Sequence, residues 1–166
     1  MGTARRVFTC SRGERIGMSD INKQLKDFSV ALSKYRESVH EKETKFVTVA
    51  CAEIERQAKT LMRDTVVDME KTYGKKGHHP SLPGNAPAPD TGTLMRSITH
   101  EVKQERDEVI GIVGIVGSTL RNPDYPKFLE FGTSKMKPRP WLSTAIEKSQ
   151  NFMVQAFQTI MKGEDK

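Results

Sequence analysis

Apolar residues recur at Ile21, Leu25, Phe28, Leu32, Tyr35 and Val39, in steps of three and four that place them on one helical face. Ser19, just ahead of this stripe, has the hydroxyl of a good N-cap. After His40 the charged run Glu41-Lys42-Glu43 shifts the phase. The stripe then resumes through Phe46, Ala50, Ile54, Ala58, Leu61, Thr65, Met69 and Tyr73. That shift predicts two helices with a bend near residues 38–42, the second stopped at Gly74, where glycine can take the positive φ that ends helices.

Residues 74–90 break the periodicity. Glycines at 74, 77 and 84 and prolines at 80, 83, 87 and 89 exclude both a helix and a central strand. Ile98, His100 and Val102 then alternate with Thr99, Glu101 and Lys103, and an apolar run follows from Val109 to Val116. This predicts an antiparallel hairpin in which Gly111 and Gly114 mark bulges or close approach of another backbone. Asn122-Pro123-Asp124 reads as a turn, Tyr125 to Phe131 as a short helix ended by Gly132. A final amphipathic helix runs from Leu142 to Ile160 and stops at Lys162-Gly163.

The expected fold is α+β: long N-terminal helices, a small antiparallel sheet, and a C-terminal amphipathic helix packed on it. The expected organisation is a basic extension (1–17), a helical region (18–73), the Pro/Gly loop (74–90) and a sheet-plus-helix region (91–166), all one domain.

Composition narrows the function. Of 166 residues only 36% are hydrophobic, too few for a large enclosed substrate cavity and better suited to a modest core completed by neighbouring subunits. The formal charge is +6, and residues 1–17 hold four arginines against Glu14, which is +3 of that total. Met18-Ser19-Asp20 resembles a second translation start, and Arg12-Gly13-Glu14 can be encoded by a purine-rich ribosome-binding sequence, so a native product beginning at Met18 is expected. Cys10 and Cys51 suggest no disulfide framework. The chain carries no leader-like apolar segment and no apolar run approaching 18 residues, so a cytoplasmic origin and no membrane partner are expected.

Catalytic motifs are missing. No phosphate-cradling glycine loop, HExxH or GxSxG is present, and the glycines at 111, 114 and 117 lie in a strand pattern. His78-His79, His40 and His100 have no metal-ligand spacing, so no metal, cofactor or catalytic residue is assigned. Glu130 stands out as a carboxylate between Leu129 and Phe131, and a structural ion pair with Arg139 or across a subunit boundary is expected for it. Lys135, Lys137 and Arg139 form a basic cluster that could touch nucleic acid, with Trp141 the one aromatic platform near it.

Two segments, Asp90-Thr-Gly-Thr-Leu-Met-Arg-Ser-Ile98 and Tyr125-Pro-Lys-Phe-Leu-Glu-Phe-Gly-Thr-Ser-Lys-Met-Lys-Pro-Arg-Pro-Trp-Leu142, together resemble the gene-ten-like tail-component family of lambdoid long-tailed bacteriophages, related to Z-type minor tail proteins. The family pattern runs TGxLRxSI, then YAxxxEFGT, then RPFL. Thr91, Gly92, Leu94, Ser97 and Ile98 match the first element. Tyr125, Glu130, Phe131, Gly132 and Thr133 match the second, Arg139, Pro140 and Leu142 the third, with Trp141 in the aromatic place. Met95 is an insertion before Arg96, and Pro126 replaces the usual small residue.

The resemblance spans roughly residues 45–160 and implies a non-enzymatic virion protein of the head–tail junction, a neck or tail-completion component. It further implies a homo-oligomeric ring, a hexamer on the tail's sixfold axis, in contact with other phage neck and tail proteins. Thr91, Gly92, Leu94, Tyr125, Phe128, Glu130, Phe131, Gly132, Thr133, Arg139, Pro140 and Trp141 are the expected interface or packing positions, and the Pro/Gly loop is expected to order against a neighbouring subunit. The alternatives are a tail-assembly factor absent from the finished particle, and a neck-lumen protein that contacts passing DNA.

Overall fold

The computed structural model describes residues 18–73, 77–106, 108–115, 120 and 122–163, with side chains from Asn22 onward. The expected start at Met18, the basic extension, Cys10, the Ser19 cap, the Ile21 side chain and the Gly74 stop lie outside the described residues. The elements follow in the order α1 (Met18–Arg63), α2 (Thr93–Ser97), β1 (Ile98–Gln104), β2 (Val109–Ile115), α3 (Tyr125–Phe131) and α4 (Leu142–Lys162). The α+β class, with a long N-terminal helix, a two-stranded antiparallel sheet and a C-terminal helix, is as expected.

Two expectations about α1 are corrected. It is one helix of 46 residues with no interruption at 38–42, and it ends at Arg63 rather than near Gly74. The phase shift does not break the helix's hydrogen bonding: the stripe before it faces solvent, and the stripe after it enters the core. The early end follows from Thr65-Val66-Val67, a β-branched run that favours extended backbone. There Thr65 Oγ1 donates to the Ala86 carbonyl at 2.7 Å, and Val67 bridges to Ser81.

The chain divides into two compact units, Met1–Val39 and His40–Lys166. In the first, the described part is a helix whose apolar face is uncovered: Leu25, Phe28, Leu32 and Tyr35 are 52–70% exposed.

The second unit holds the core. Lys42 Nζ donates to the Met161 carbonyl at 3.0 Å, and Phe46 meets Phe157 edge to face at 5.3 Å, so α4 runs antiparallel to α1. The sheet lies on the same helix. His100 pairs with Glu55, and Gln104 Nε2 donates to Thr44 Oγ1 at 3.2 Å, so β1 also runs opposite to α1. Gly111 of β2 sits so close that an added Cβ would lie 2.4 Å from Cys51 Sγ and 2.8 Å from Val47 Cγ1. The bulge or close approach of another backbone expected at Gly111 and Gly114 is corrected: both pair in regular register, with Val102 and Thr99, Gly111 is crowded by side chains of α1, and Gly114 has open space around it.

β1 and β2 pair from Ile98↔Ile115 to Gln104↔Val109, and Glu105 N–H donates to the Glu108 carbonyl to close the hairpin. The inward positions of β1 are Ile98, His100 and Val102, as the alternation predicts. Ile98 joins Ala58, Met62, Ala86, Leu129, Trp141 and Ala145 in one buried cluster, which ties both helices, the sheet and the Pro/Gly loop together. α2 has no counterpart in the sequence reading.

Candidate functional site

The second and third motif segments fold into a clasp between α3 and α4. Pro126 near the start of α3 presets φ for the first turn. The helix ends at Gly132, whose N–H donates to the Phe128 carbonyl at 2.9 Å. Gly132 has φ 76° and ψ −177°, a region that residues with a Cβ scarcely enter. A Cβ there would also meet the Met136 carbonyl oxygen at 2.8 Å and Pro138 N at 2.9 Å. This glycine lets the chain fold back on itself.

Thr133 fixes the turn that follows. Its N–H donates to the Met136 carbonyl at 2.8 Å, while its Oγ1 accepts from Lys135 N–H at 3.2 Å and Met136 N–H at 3.1 Å. Arg139 N–H then donates to the Leu129 carbonyl at 2.7 Å, bringing the Pro138-Arg139-Pro140 segment beside α3.

Glu130 closes the clasp. Its Oε2 accepts from Trp141 N–H at 2.8 Å and Leu142 N–H at 3.0 Å. Its Oε1 accepts from Ser143 N–H at 3.0 Å and Ser143 Oγ–H at 2.6 Å. These backbone N–H groups are the ones a helix start leaves without intrahelical partners, and the carboxylate also faces the positive end of the α4 dipole. The N-cap residue, Trp141, supplies no side-chain cap of its own. Burial raises the Glu130 pKa, but the bonds from Ser143, Trp141 and Leu142 outweigh it and hold the carboxyl below its usual value.

The expected ion pair of Glu130 is therefore corrected: both carboxylate oxygens serve the helix start. Arg139 is also reassigned, since its Nε donates to the Ser81 carbonyl at 3.2 Å. Trp141 is 4% exposed with its indole N–H toward the Pro126 carbonyl, so it offers no stacking platform to nucleic acid. Phe128 is partly exposed, Pro140 is half-buried, and Phe131 is 74% exposed at the surface.

The first motif forms a second, smaller turn. Gly92, at φ 74°, caps α2, and Thr91 Oγ1 accepts from Thr93 N–H. Arg96 Nη2 donates to the Thr91 carbonyl at 3.0 Å, and Leu94 packs on the core cluster. The two motifs meet at Tyr125, which lines one groove with Thr91, Gly92 and Leu94 and a second with Arg139. Burial raises the Tyr125 pKa, with Arg139 acting to lower it and Asp90 to raise it.

Loop residues 77–90 fold onto their own chain. Asp68 N–H donates to the Pro80 carbonyl, Leu82 N–H to the Val66 carbonyl, and Gly84 N–H to the Pro138 carbonyl. Within the chain, these bonds hold residues 77–90 against residues 66–68 and 138. Sequence reasoning missed Ser81 and Ser143 as partners of the motif residues. The usable signal was negative: Trp141 cannot cap a helix, so an acceptor had to arrive from elsewhere.

Among the described residues no group of three or more His, Cys, Asp or Glu side chains could hold a metal, and no helix is long and apolar enough to cross a membrane. Cys51 is buried, and burial raises its thiol pKa, which makes it a poor nucleophile. No family model, curated protein or solved structure matches the chain.

Proposed function

We propose that this chain is a non-enzymatic structural subunit of the head–tail junction of a long-tailed bacteriophage, a neck or tail-completion component that assembles into a ring. The two motif segments and their order support this reading. So does the use made of their chemical groups: Glu130 bonds four donors of a helix start and Arg139 bonds a backbone carbonyl. Both act as scaffold fastenings.

The observation that carries the reading is the uncovered face of α1. Leu25, Phe28, Leu32 and Tyr35 follow one another in steps of three, four and three, the spacing of a coiled-coil seam, and all are more than half exposed. Burying one large apolar side chain stabilises by roughly 1.5–3 kcal/mol, so a face of this size is designed to be covered. A subunit of an assembly covers it with a neighbour. In the proposed assembly that contact runs head to tail, and such a contact closes into a ring or else continues as a filament.

Quantitative peptide mass spectrometry of purified virions tests the reading. The expected result is a copy number near one ring's worth per particle. Absence from particles, with abundance in infected cells, would instead identify an assembly factor.

A further inference from the structure

Beside the clasp lies a groove of about 480 Å³ whose walls include Tyr73, Tyr125 and three prolines of the 77–90 loop. Lys135, Lys137 and Arg139 line it, and among the described residues no carboxylate does. Three cations along one concavity repel one another and raise a positive potential that an anionic ligand relieves.

Part of this cationic wall, the backbone at Lys135 and the side chain of Arg139, is held in place before any ligand arrives. The turn that carries Lys135 is fixed by Thr133, through the two N–H groups its hydroxyl accepts. Arg139 is fixed by its bond to the Ser81 carbonyl. Such preorganisation removes ordering cost from binding. Ser81, 1% exposed at the base of this groove, has a buried hydroxyl without a hydrogen-bond partner. A buried hydroxyl in that condition is destabilising, and an incoming acceptor would relieve it.

The groove has direction. At Tyr125 it meets a second one, of about 290 Å³, which shares His78, Pro87 and Ala88 with it and carries Asp90. One end is cationic and the other is not. Tyrosine and proline walls suit an extended backbone, as in the aromatic-lined grooves that receive extended peptides. A concavity of this volume accommodates a single chain and is too small for a nucleic-acid duplex.

We infer that this groove is a docking site for an acidic, extended peptide segment of a partner protein, with its carboxylates at Lys135, Lys137 and Arg139 and its backbone crossing Tyr125. The docking does not depend on where in a particle the chain acts, so it can fail while the assembly role stands.

The test is selection from a synthetic pool of random octapeptides by the immobilised full chain, in parallel with the Lys135→Glu/Lys137→Glu double variant. Both lysines are exposed, and matched thermal melts establish that the variant folds. The expected result is enrichment of sequences with net negative charge by the natural chain alone. Individual selected peptides should bind the variant at least tenfold more weakly in fluorescence anisotropy. Recovery of peptides no more acidic than the starting pool would overturn the inference, as would equal acidic enrichment by the variant. A 20-base-pair duplex that binds the natural chain more tightly than any selected peptide at the same salt, and loses that affinity in the variant, would assign the cations to phosphate and also overturn it.

Discussion

The two ends of this chain treat their exposed chemistry in opposite ways. Around α3 and the start of α4, the groups that build the clasp have partners within the chain: the first-turn N–H groups of α4 have Glu130, and Arg139 has the Ser81 carbonyl. Along residues 22–38 of α1 the apolar face is left in solvent. The clasp is finished within one chain, whereas the helical arm leaves its apolar face uncovered, and on the proposed assembly a neighbour covers it. Stability should therefore reside in the clasp and association in the arm.

The largest effect should come from Gly132→Ala. It places a side chain in a glycine-only conformation and drives a Cβ into the Met136 carbonyl and Pro138 N. A loss of about 3 kcal/mol is expected in urea unfolding. A loss below about 1 kcal/mol would mean that the turn relaxes freely.

Glu130→Gln should cost about 2 kcal/mol at neutral pH, since the amide offers one acceptor oxygen in place of two and carries no charge. The sign of its pH dependence is fixed. The folded pKa lies below the ordinary value of 4.5, so the carboxylate's stabilisation is present above that pH and is lost as pH falls through the folded value. The natural chain and the variant should therefore converge in stability under acid. Parallel curves down to pH 3 would break the clasp model.

Gly111→Ala comes next, at about 1.5 kcal/mol in the same assay, because Cys51 and the stiff Val47 must give way. The smallest effect on stability should be that of the Leu25→Gln, Phe28→Gln, Leu32→Gln triple variant. Glutamine keeps helix propensity and removes no buried contact, so the unfolding free energy should change by less than about 0.5 kcal/mol. Sedimentation equilibrium should nevertheless show weaker self-association than in the natural chain. A stability loss comparable to that of Glu130→Gln would erase the distinction between the two regions.

Much of the fold was legible because local patterns decide it. Gly132 and Gly163 stop α3 and α4 where their positions suggest, and the alternation at Ile98, His100 and Val102 places the hairpin. The α1 stripe identifies a helix, yet its phase shift suggests a bend that is absent, because a face that passes from solvent into a core and a break in a helix leave the same trace in a sequence. The Glu130 role was not legible. Its donors lie 11 to 13 residues away, beyond any helical or strand period, and only the reversal at Gly132 brings them together. Likewise Ser81 meets Arg139 across 58 residues, a separation that no local pattern encodes.

The Glu130 bonds also bear on how the molecule opens. The first turn of a helix ordinarily frays, and its amide hydrogens exchange with solvent in the folded state. Here the amides of Trp141, Leu142 and Ser143 are held by a side chain of α3, so fraying of this turn must also break bonds to α3. Amide exchange at these three positions should therefore be slower than in an uncapped first turn, and should quicken in Glu130→Gln.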